Sequence, residues 1–513
     1  MISQWLSSSY ELKSRNAGAH KLVNIYPQNG EGEAISNQVF ISSSGQKQFS
    51  DVLPITITEY GCRGLYYTST GRLFSVFGGS LVETTYNDLT GLYTSQERFK
   101  ITELATQVSM IDNGRFLVIV DGSSMNLFNM DTDLRESSPV LPFEKPLKVE
   151  YINSRVVCIC ADNNPTDTAR TDIQGIKNQM LWWSEVGLDG VKDWRVLSFY
   201  SAMSSADPLI MMAKNQGQII LFGAQSVEFI DCTTNADAPF KLALGTPSGI
   251  GCNAPNSVAT LSDQCIFVGS AGQGKDQIFI SNGGYRFERI SNHAVEDFLN
   301  SSGQYSVQSI GFTYQEMGHS FYVLTILGDV TNNNSKTFVY DFTTNKWHYR
   351  ASRSLNLNVM SAWEIRYAVY AFNKVVCGNN SASVLLELDK DTYSDWDRTN
   401  GTKPLVRIMQ GEQYRDDLKN MTIAEFALDM EMGVGIQTGQ GDDPQAMLEV
   451  SGDGGQTWSS EIWTSIGRIG QYSRTATWRL LGTKRRWVMR VTISDPVYVA
   501  ICGARLDARG TGK

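Results

Sequence analysis

The sequence predicts an all-β protein: a six- or seven-bladed β-propeller-like domain, a C-terminal β-sandwich, and an extended N-terminal arm. Three observations carry this. The 513 residues are 42% hydrophobic and 11% aromatic with 45 glycines, and Ser, Thr and Asn recur between short apolar runs, the composition of many short strands joined by turns. A degenerate unit of polar turn, apolar run and Gly or Ser turn recurs at roughly the forty-to-sixty-residue spacing of propeller blades with variable outer loops. Near the C-terminus, Leu448-Glu449-Val450-Ser451-Gly452-Asp453-Gly454-Gly455-Gln456-Thr457-Trp458-Ser459 reads as a strand, an Asp-Gly-Gly corner and an aromatic anchor opening the next strand.

Residues 1–50 are polar, with a Gly30-Glu31-Gly32-Glu33 turn, and are expected to lie as an arm on the rest of the structure or on a neighbour. The repeat then runs through residues 51–395, with apolar runs within 71–79, 113–122, 153–159, 216–223, 263–269, 319–325 and 373–378. Near-continuous apolar runs suit the middle strands of a blade, which are buried on both faces. Two units carry a further strand that ends in a turn and a tryptophan: Phe338-Val339-Tyr340-Asp341 running to Trp347, and Leu181-Trp182-Trp183-Ser184 running to Trp194. A pair of β-sandwiches is the alternative architecture. Segments 163–177 and 329–336, poor in apolar residues, are expected as exposed loops. Residues 291–299 read as a helix capped by Ser291 or Asn292, with Val295, Phe298 and Leu299 on one face. A polar connector around 395–401 leads to a β-sandwich over 405–507 with final strands near 478–481, 487–493 and 497–504.

Within that sandwich, Ser451, Asp453, Gly455, Thr457 and Trp458 have the order of an Asp box, a turn whose Asp accepts backbone N–H groups while Gly takes positive φ and Trp packs beneath. Its task is structural. Lys484, Arg485 and Arg486 form the tight basic cluster of the chain. They are read either as a solvated hairpin turn or as a contact with an acidic patch on a neighbouring subunit or adaptor.

The net charge is −9, from 53 Asp and Glu against 44 Lys and Arg. That excludes an overall basic field for gripping nucleic acid by counterion release. The eight cysteines are spread through apolar strands without a Cys-x-x-Cys pair, so buried thiols are expected rather than a disulfide framework. With four isolated histidines, no zinc site is expected. The first nine residues lack a basic n-region and a long apolar core, and no stretch of about eighteen apolar residues occurs. Neither a signal peptide nor a membrane span is therefore expected. No spacing singles out catalytic acids, and no Gly-x-Ser-x-Gly, phosphate loop or His-Glu-x-x-His is present. No catalytic, cofactor or metal residues are assigned.

Several stretches, in order along the chain, resemble a known family. They are Lys21-Leu22-Val23-Asn24-Ile25-Tyr26-Pro27; Arg63-Gly64-Leu65-Tyr66 with Gly78-Gly79-Ser80-Leu81; Phe222-Gly223-Ala224-Gln225-Ser226-Val227-Glu228-Phe229; Gly249-Ile250-Gly251-Cys252; and the terminal run from Gly482 through Asp495-Pro496-Val497 to Leu506. Together they are similar to the packaged DNA stabilisation, or tail hub (nozzle), proteins of short-tailed bacteriophages. The resemblance implies a structural virion protein, made in the host cytoplasm, that forms a six-fold ring extending the portal-adaptor channel. Such a ring retains packaged double-stranded DNA without binding it specifically, passes it at ejection, carries spikes or fibres and seats a needle or plug. An acidic protein suits that duct. The competing readings are a sialidase-like glycoside hydrolase, because Asp boxes accompany that class, and a host-receptor-binding virion protein.

Overall fold

The computed structural model describes all residues except 1, 4, 16–17, 31–35, 56–60, 88–89, 104–105, 167, 169–170, 203–204, 244–247, 273, 283–284, 328–334, 355–358, 417–418 and 511–513. The expected Gly30–Glu33 turn and the 329–336 loop fall largely outside the described residues.

Seven four-stranded antiparallel sheets succeed one another. Blade one is formed by Cys62–Tyr67, Leu73–Phe77, Ser80–Asn87 and Leu92–Lys100. Blades two to five follow the same meander, beginning with Ser109–Asp112, Pro146–Ile152, Leu209–Asn215 and Ile250–Leu261. Blade six comprises Ile310–Glu316, His319–Ile326, Lys336–Asp341 and Lys346–Ser354. Blade seven takes only three strands from its own stretch: Ile365–Ala371, Lys374–Asn379 and Leu385–Asp389. Its fourth is Gly45–Gln48 from the beginning of the chain, paired antiparallel with Leu386 opposite Gln48. The ring closes by joining its two ends.

The second strand of each blade is the apolar run legible in the sequence. Phe116–Val120 and Arg155–Cys160 are buried at every position, as two-faced packing between adjacent sheets requires. Where neighbouring blades meet, glycine admits close approach. A Cβ at Gly311 would collide with the Ser257 carbonyl of blade five, and one at Gly378 with Cys62 across the blade seven–blade one seam.

The helix is His293–Ser301, capped by Asn292, whose side chain accepts from the Val295 N–H at 3.0 Å. Val295 and Leu299 are buried against blades five and six. The 163–177 segment joins the second and third strands of blade three. It is less open than its composition implies, because Ile173 and Lys177 are buried.

Among the described residues of the first fifty, Ala19–Val23, Ile25–Asn29, Gln38–Ser42 and Gly45–Gln48 are strands built into both units rather than an arm laid over them. Ala19–Val23 pairs on one side with Lys346–Ser354 of blade six and on the other with Arg407–Gln410 of the C-terminal unit. Ile25–Asn29 and Gln38–Ser42 form a hairpin that joins Ala500–Gly510. The C-terminal unit is a two-sheet sandwich. In one sheet Gln38–Ser42, Ala500–Gly510, Met421–Met430 and Ala476–Lys484 lie side by side; in the other Arg407–Gln410, Arg486–Ile493, Gln445–Ser451 and Ile462–Ser465. Trp5, Phe426, Trp478, Trp487 and Met489 fill the space between them. The connector is itself a hairpin, Ser394–Asp397 with Gly401–Pro404, that buries Asp395, Trp396 and Lys403.

Candidate functional site

The seven first strands enclose a central cavity of about 650 Å³. Its wall takes Leu65 and Tyr66, Met110, Leu147, Met211, Asn256, Phe312 and Tyr367, at least one residue from each blade. The charged residues of this wall are Lys148 and Glu150, whose side chains pair at 3.5 Å. The cavity is thus a largely neutral, partly apolar tube. Among the described residues, no group of three or more His, Cys, Asp or Glu converges as a metal-ligand set.

The strongest electrostatic feature lies where propeller meets sandwich. Asn24 turns the chain at φ 56° between two strands and is fully buried. Its Nδ2 donates to the carbonyls of Ala351 in blade six (2.9 Å) and Val406 in the sandwich (2.8 Å), and its Oδ1 accepts from Ala351 N–H at 3.0 Å. One amide therefore stitches both units to the N-terminal segment. Nearby, the buried Arg407 guanidinium donates to Ser42 Oγ and to the Asp495 carbonyl, both at 2.8 Å. Arg350 donates to the Ser44 carbonyl at 3.0 Å and stacks 4.2 Å from the Trp363 ring centroid. Lys403 pairs with Glu364 at 2.6 Å.

Asp395 sits among these cations, yet neither of its carboxylate oxygens accepts a hydrogen bond from the chain among the described residues. Burial pushes its carboxyl up to about 6 against the attraction of Arg350, Lys403 and Arg407, with Glu364 adding to the rise. A raised folded-state value means that this group contributes stability fully below its usual value near 3.8 and loses it as pH rises through about 6. Relative to Asp395→Asn, the wild type is expected to be more stable at pH 5 than at pH 7 by about 1 kcal/mol. Urea denaturation of both proteins at the two pH values measures this; equal pH dependence would show that Asp395 does not titrate there.

The Asp-box residues come together as one turn. Asp453 Oδ1 accepts from Gln456 N–H (2.9 Å) and Thr457 N–H (3.0 Å), and its Oδ2 accepts from the Thr457 hydroxyl at 2.5 Å. Ser451 Oγ donates to Asp453 at 2.7 Å and accepts from Gly455 N–H at 2.8 Å, with Gly455 at φ 92°. These bonds, those of the Ser451 and Thr457 side chains first, hold the Asp453 carboxyl below the usual carboxylate range. The following strand begins at Ile462, not at the tryptophan. The half-buried Trp458 instead packs under the Arg490 guanidinium, 3.9 Å from its ring centroid, while Arg490 forks onto Glu449 at 2.8 and 2.7 Å.

Lys484, Arg485 and Arg486 do not occupy a hairpin turn. Lys484 ends a strand of one sheet and Arg486 begins a strand of the other, so the cluster is the corner at which the chain crosses the sandwich. Arg485 is exposed, and Lys484 lies 5.8 Å from the Trp487 ring centroid. The basic corner and the Asp box are neighbours, because the Lys484 side chain passes over Gly452.

The junction residues were passed over in the sequence, where 395–401 reads as a polar linker. Asn400-Gly401 is a hairpin signal in its own right, and its Gly401 takes φ 78°. The burial of Asp395 and Lys403 has no local signature, because it depends on Arg350 and Glu364 from the preceding blades and on the strand Gly45–Gln48 from the start of the chain.

Residues 19–393 match the family model described as bacteriophage P22 Gp10, beta-propeller, and residues 408–509 the model described as bacteriophage P22 Gp10, beta-sandwich. A search of curated proteins returns no match. Among solved structures, the extracellular domain of the putative one component system BT4673 from B. thetaiotaomicron is similar at 9% identity and TM-score 0.42, over 83% of this chain and 48% of that one. The chain thus spans about half of that protein's length. Streptogramin B lyase is similar at 10% identity and TM-score 0.41, over 68% of this chain and 98% of that one. The exo-beta-1,3-galactanase of Phanerochaete chrysosporium is similar at 11% identity and TM-score 0.29, over 78% and 96%.

Proposed function

The chain belongs to the bacteriophage P22 Gp10 family of phage DNA-stabilisation and tail hub proteins, and from that premise we propose that it forms a ring that extends the portal-adaptor channel. That ring, six-fold as in the resemblance, retains the packaged genome, serves as its duct at ejection, and carries spikes or fibres and a needle or plug. It is a structural phage tail protein. The single observation behind the proposal is that both family models match in order, one on each folded unit.

The charge distribution supports the duct. Residues 51–404 hold 37 Asp and Glu against 27 Lys and Arg, whereas residues 405–513 hold 13 of each. The acidity belongs to the propeller part, which repels phosphate instead of gripping it. The 650 Å³ cavity is too small for a duplex, whose major groove alone is about 12 Å wide. The conduit is accordingly a space enclosed between copies, not the hole of one propeller. A glycosidase needs two carboxyl groups flanking the scissile bond, and the central cavity offers one glutamate already paired with a lysine.

Heads filled in the absence of this protein are expected to lose their DNA, and added purified protein to restore retention, read as nuclease-resistant genomes. Particles lacking the chain that hold their genomes would remove the reading. The basic corner supplies a second arm: Lys484→Glu, Arg485→Glu and Arg486→Glu together are expected to reduce incorporation into tails at least tenfold, by mass spectrometry of purified particles. Unaltered incorporation would return the corner to an ordinary solvated surface.

A further inference from the structure

Each strand of blade four contributes one polar residue to a single cross-strand row. Asn215 and Gln218 face each other across the two-residue turn between Leu209–Asn215 and Gln218–Gly223. Asp231 of Val227–Cys232 lies opposite Gln218, and Lys241 of the outer strand Phe240–Leu242 lies opposite Asp231. Residues directly opposite in an antiparallel sheet share a face, and Phe229, two positions before Asp231, shares it too. That face is turned to blade five. Phe229 meets Tyr285 edge on at 5.2 Å between ring centroids and stacks on Phe287 at 5.7 Å.

The row and Tyr285 line an open cleft of about 510 Å³ at this seam, within the roughly 300–1,000 Å³ of small-molecule sites. Its polar groups are already set in place. Gln218 Nε2 donates to Asp231 Oδ1 at 2.6 Å and, across the seam, to Tyr285 Oη at 3.0 Å. Asn215 Nδ2 donates to the Asp263 carbonyl of blade five at 3.1 Å, which fixes its amide. Asn215 Oδ1 accepts no hydrogen bond from the described residues, although the residue is only 8% exposed. A buried polar atom without a partner is rare in a folded chain, and a hydroxyl entering the cleft supplies one.

The lining also selects the kind of ligand. It holds one carboxylate, Asp231, and one ammonium, Lys241, and the flanking Lys214 and Arg286 are matched by Asp263 and Glu288. Such a balance suits a neutral ligand and lacks the paired cations that grip a phosphate. A purely apolar ligand would leave the row unpaired. Amide, carboxylate and ammonium groups side by side bond adjacent hydroxyls, and the Tyr285 ring, 43% exposed, offers a flat surface to the C–H face of a pyranose.

We propose that the cleft between blades four and five binds a neutral oligosaccharide, with Asn215, Gln218, Asp231 and Lys241 bonding its hydroxyls and Tyr285 packing on a sugar ring. The cleft binds sugar without cleaving it, since hydrolysis takes two carboxyl groups and its lining has one. This role is separate from the ring-forming reading above and does not depend on it.

The test is saturation-transfer NMR on the full-length protein with maltotriose, cellotriose, galactobiose and chitotriose, and with adenosine as a stacking ligand that is not a sugar. At least one oligosaccharide is expected to bind with a Kd of about 1 mM or tighter. Tyr285→Ala and Asp231→Ala are each expected to weaken that binding at least tenfold with an unchanged melting curve. The wild type locates the site without any variant: Cys232 lines the cleft and is partly exposed, so the bound sugar is expected to slow its alkylation by iodoacetamide several-fold and to leave the exposed Cys502 unaffected. Binding of none of the four sugars, binding of adenosine in their place, or sugar binding that leaves Cys232 unprotected would each overturn the site. The tail role fails separately, through particles that lack the chain and still hold their genomes.

Discussion

A chain beginning at residue 51 is expected not to reach the native fold, because the first fifty residues are internal to both units. Without Gly45–Gln48, blade seven loses its outer strand and the propeller loses its closure. Without Ala19–Val23, blade six and the sandwich lose the strand that joins them, and without Gln38–Ser42 one sandwich sheet loses an edge. The buried apolar side chains removed include Trp5, Leu6, Leu22, Ile25, Tyr26 and Phe40. At about 1.5–3 kcal/mol each, their loss matches the roughly 5–15 kcal/mol that holds a folded domain together. Far-ultraviolet circular dichroism during urea titration checks this. A truncated chain with a cooperative transition near the full-length midpoint would show that the segment is dispensable, whereas refolding on addition of the 1–50 peptide would support its structural place.

The second large effect concerns a single side chain. Asn24→Ala leaves the carbonyls of Ala351 and Val406 and the N–H of Ala351 without their buried partner, and a buried group left unpaired costs about 1–3 kcal/mol. Alanine at φ 56° adds about 1 kcal/mol, since Asn tolerates the left-handed region and a plain Cβ does not. The expected loss is about 4 kcal/mol, seen as a lower urea midpoint. Asn24→Asp separates the two causes: it keeps the backbone preference but donates to neither carbonyl, so it should lose most of the same stability. A change below about 1 kcal/mol in both variants would mean that the junction is held elsewhere.

The blades were legible because a strand packed on both faces must be apolar throughout, and nothing else in a sheet protein has that signature. Each of the seven runs picked out in the sequence is the second strand of its blade, from Leu73–Phe77 to Lys374–Asn379. The helix over 291–299 was visible through its Asn292 cap and the spacing of Val295 and Leu299. The roles of the first fifty residues were not legible, because a strand such as Gly45-Gln46-Lys47-Gln48 is polar and owes its place to a partner at the other end of the chain. For the same reason Asp395 reads as a linker residue although it is fully buried. The basic corner was visible as composition, but its position at a sheet-to-sheet crossing follows from which strands pair, and three residues do not encode that.

The shared seventh blade also has a consequence in time. Gln46 and Lys47 leave the ribosome early, yet their partners Leu388 and Glu387 follow about 340 residues later. At about 5–20 residues per second, translation leaves that strand waiting roughly 20–70 s. Over the same interval the growing blades stand as an open row with unsealed ends. Closure therefore comes near the end of synthesis, and since Ala19–Val23 needs Arg407–Gln410 as well, the C-terminal sandwich is completed only afterwards. A messenger truncated before codon 385 would yield a product that exposes two sticky sheet edges, a natural target for proteolysis.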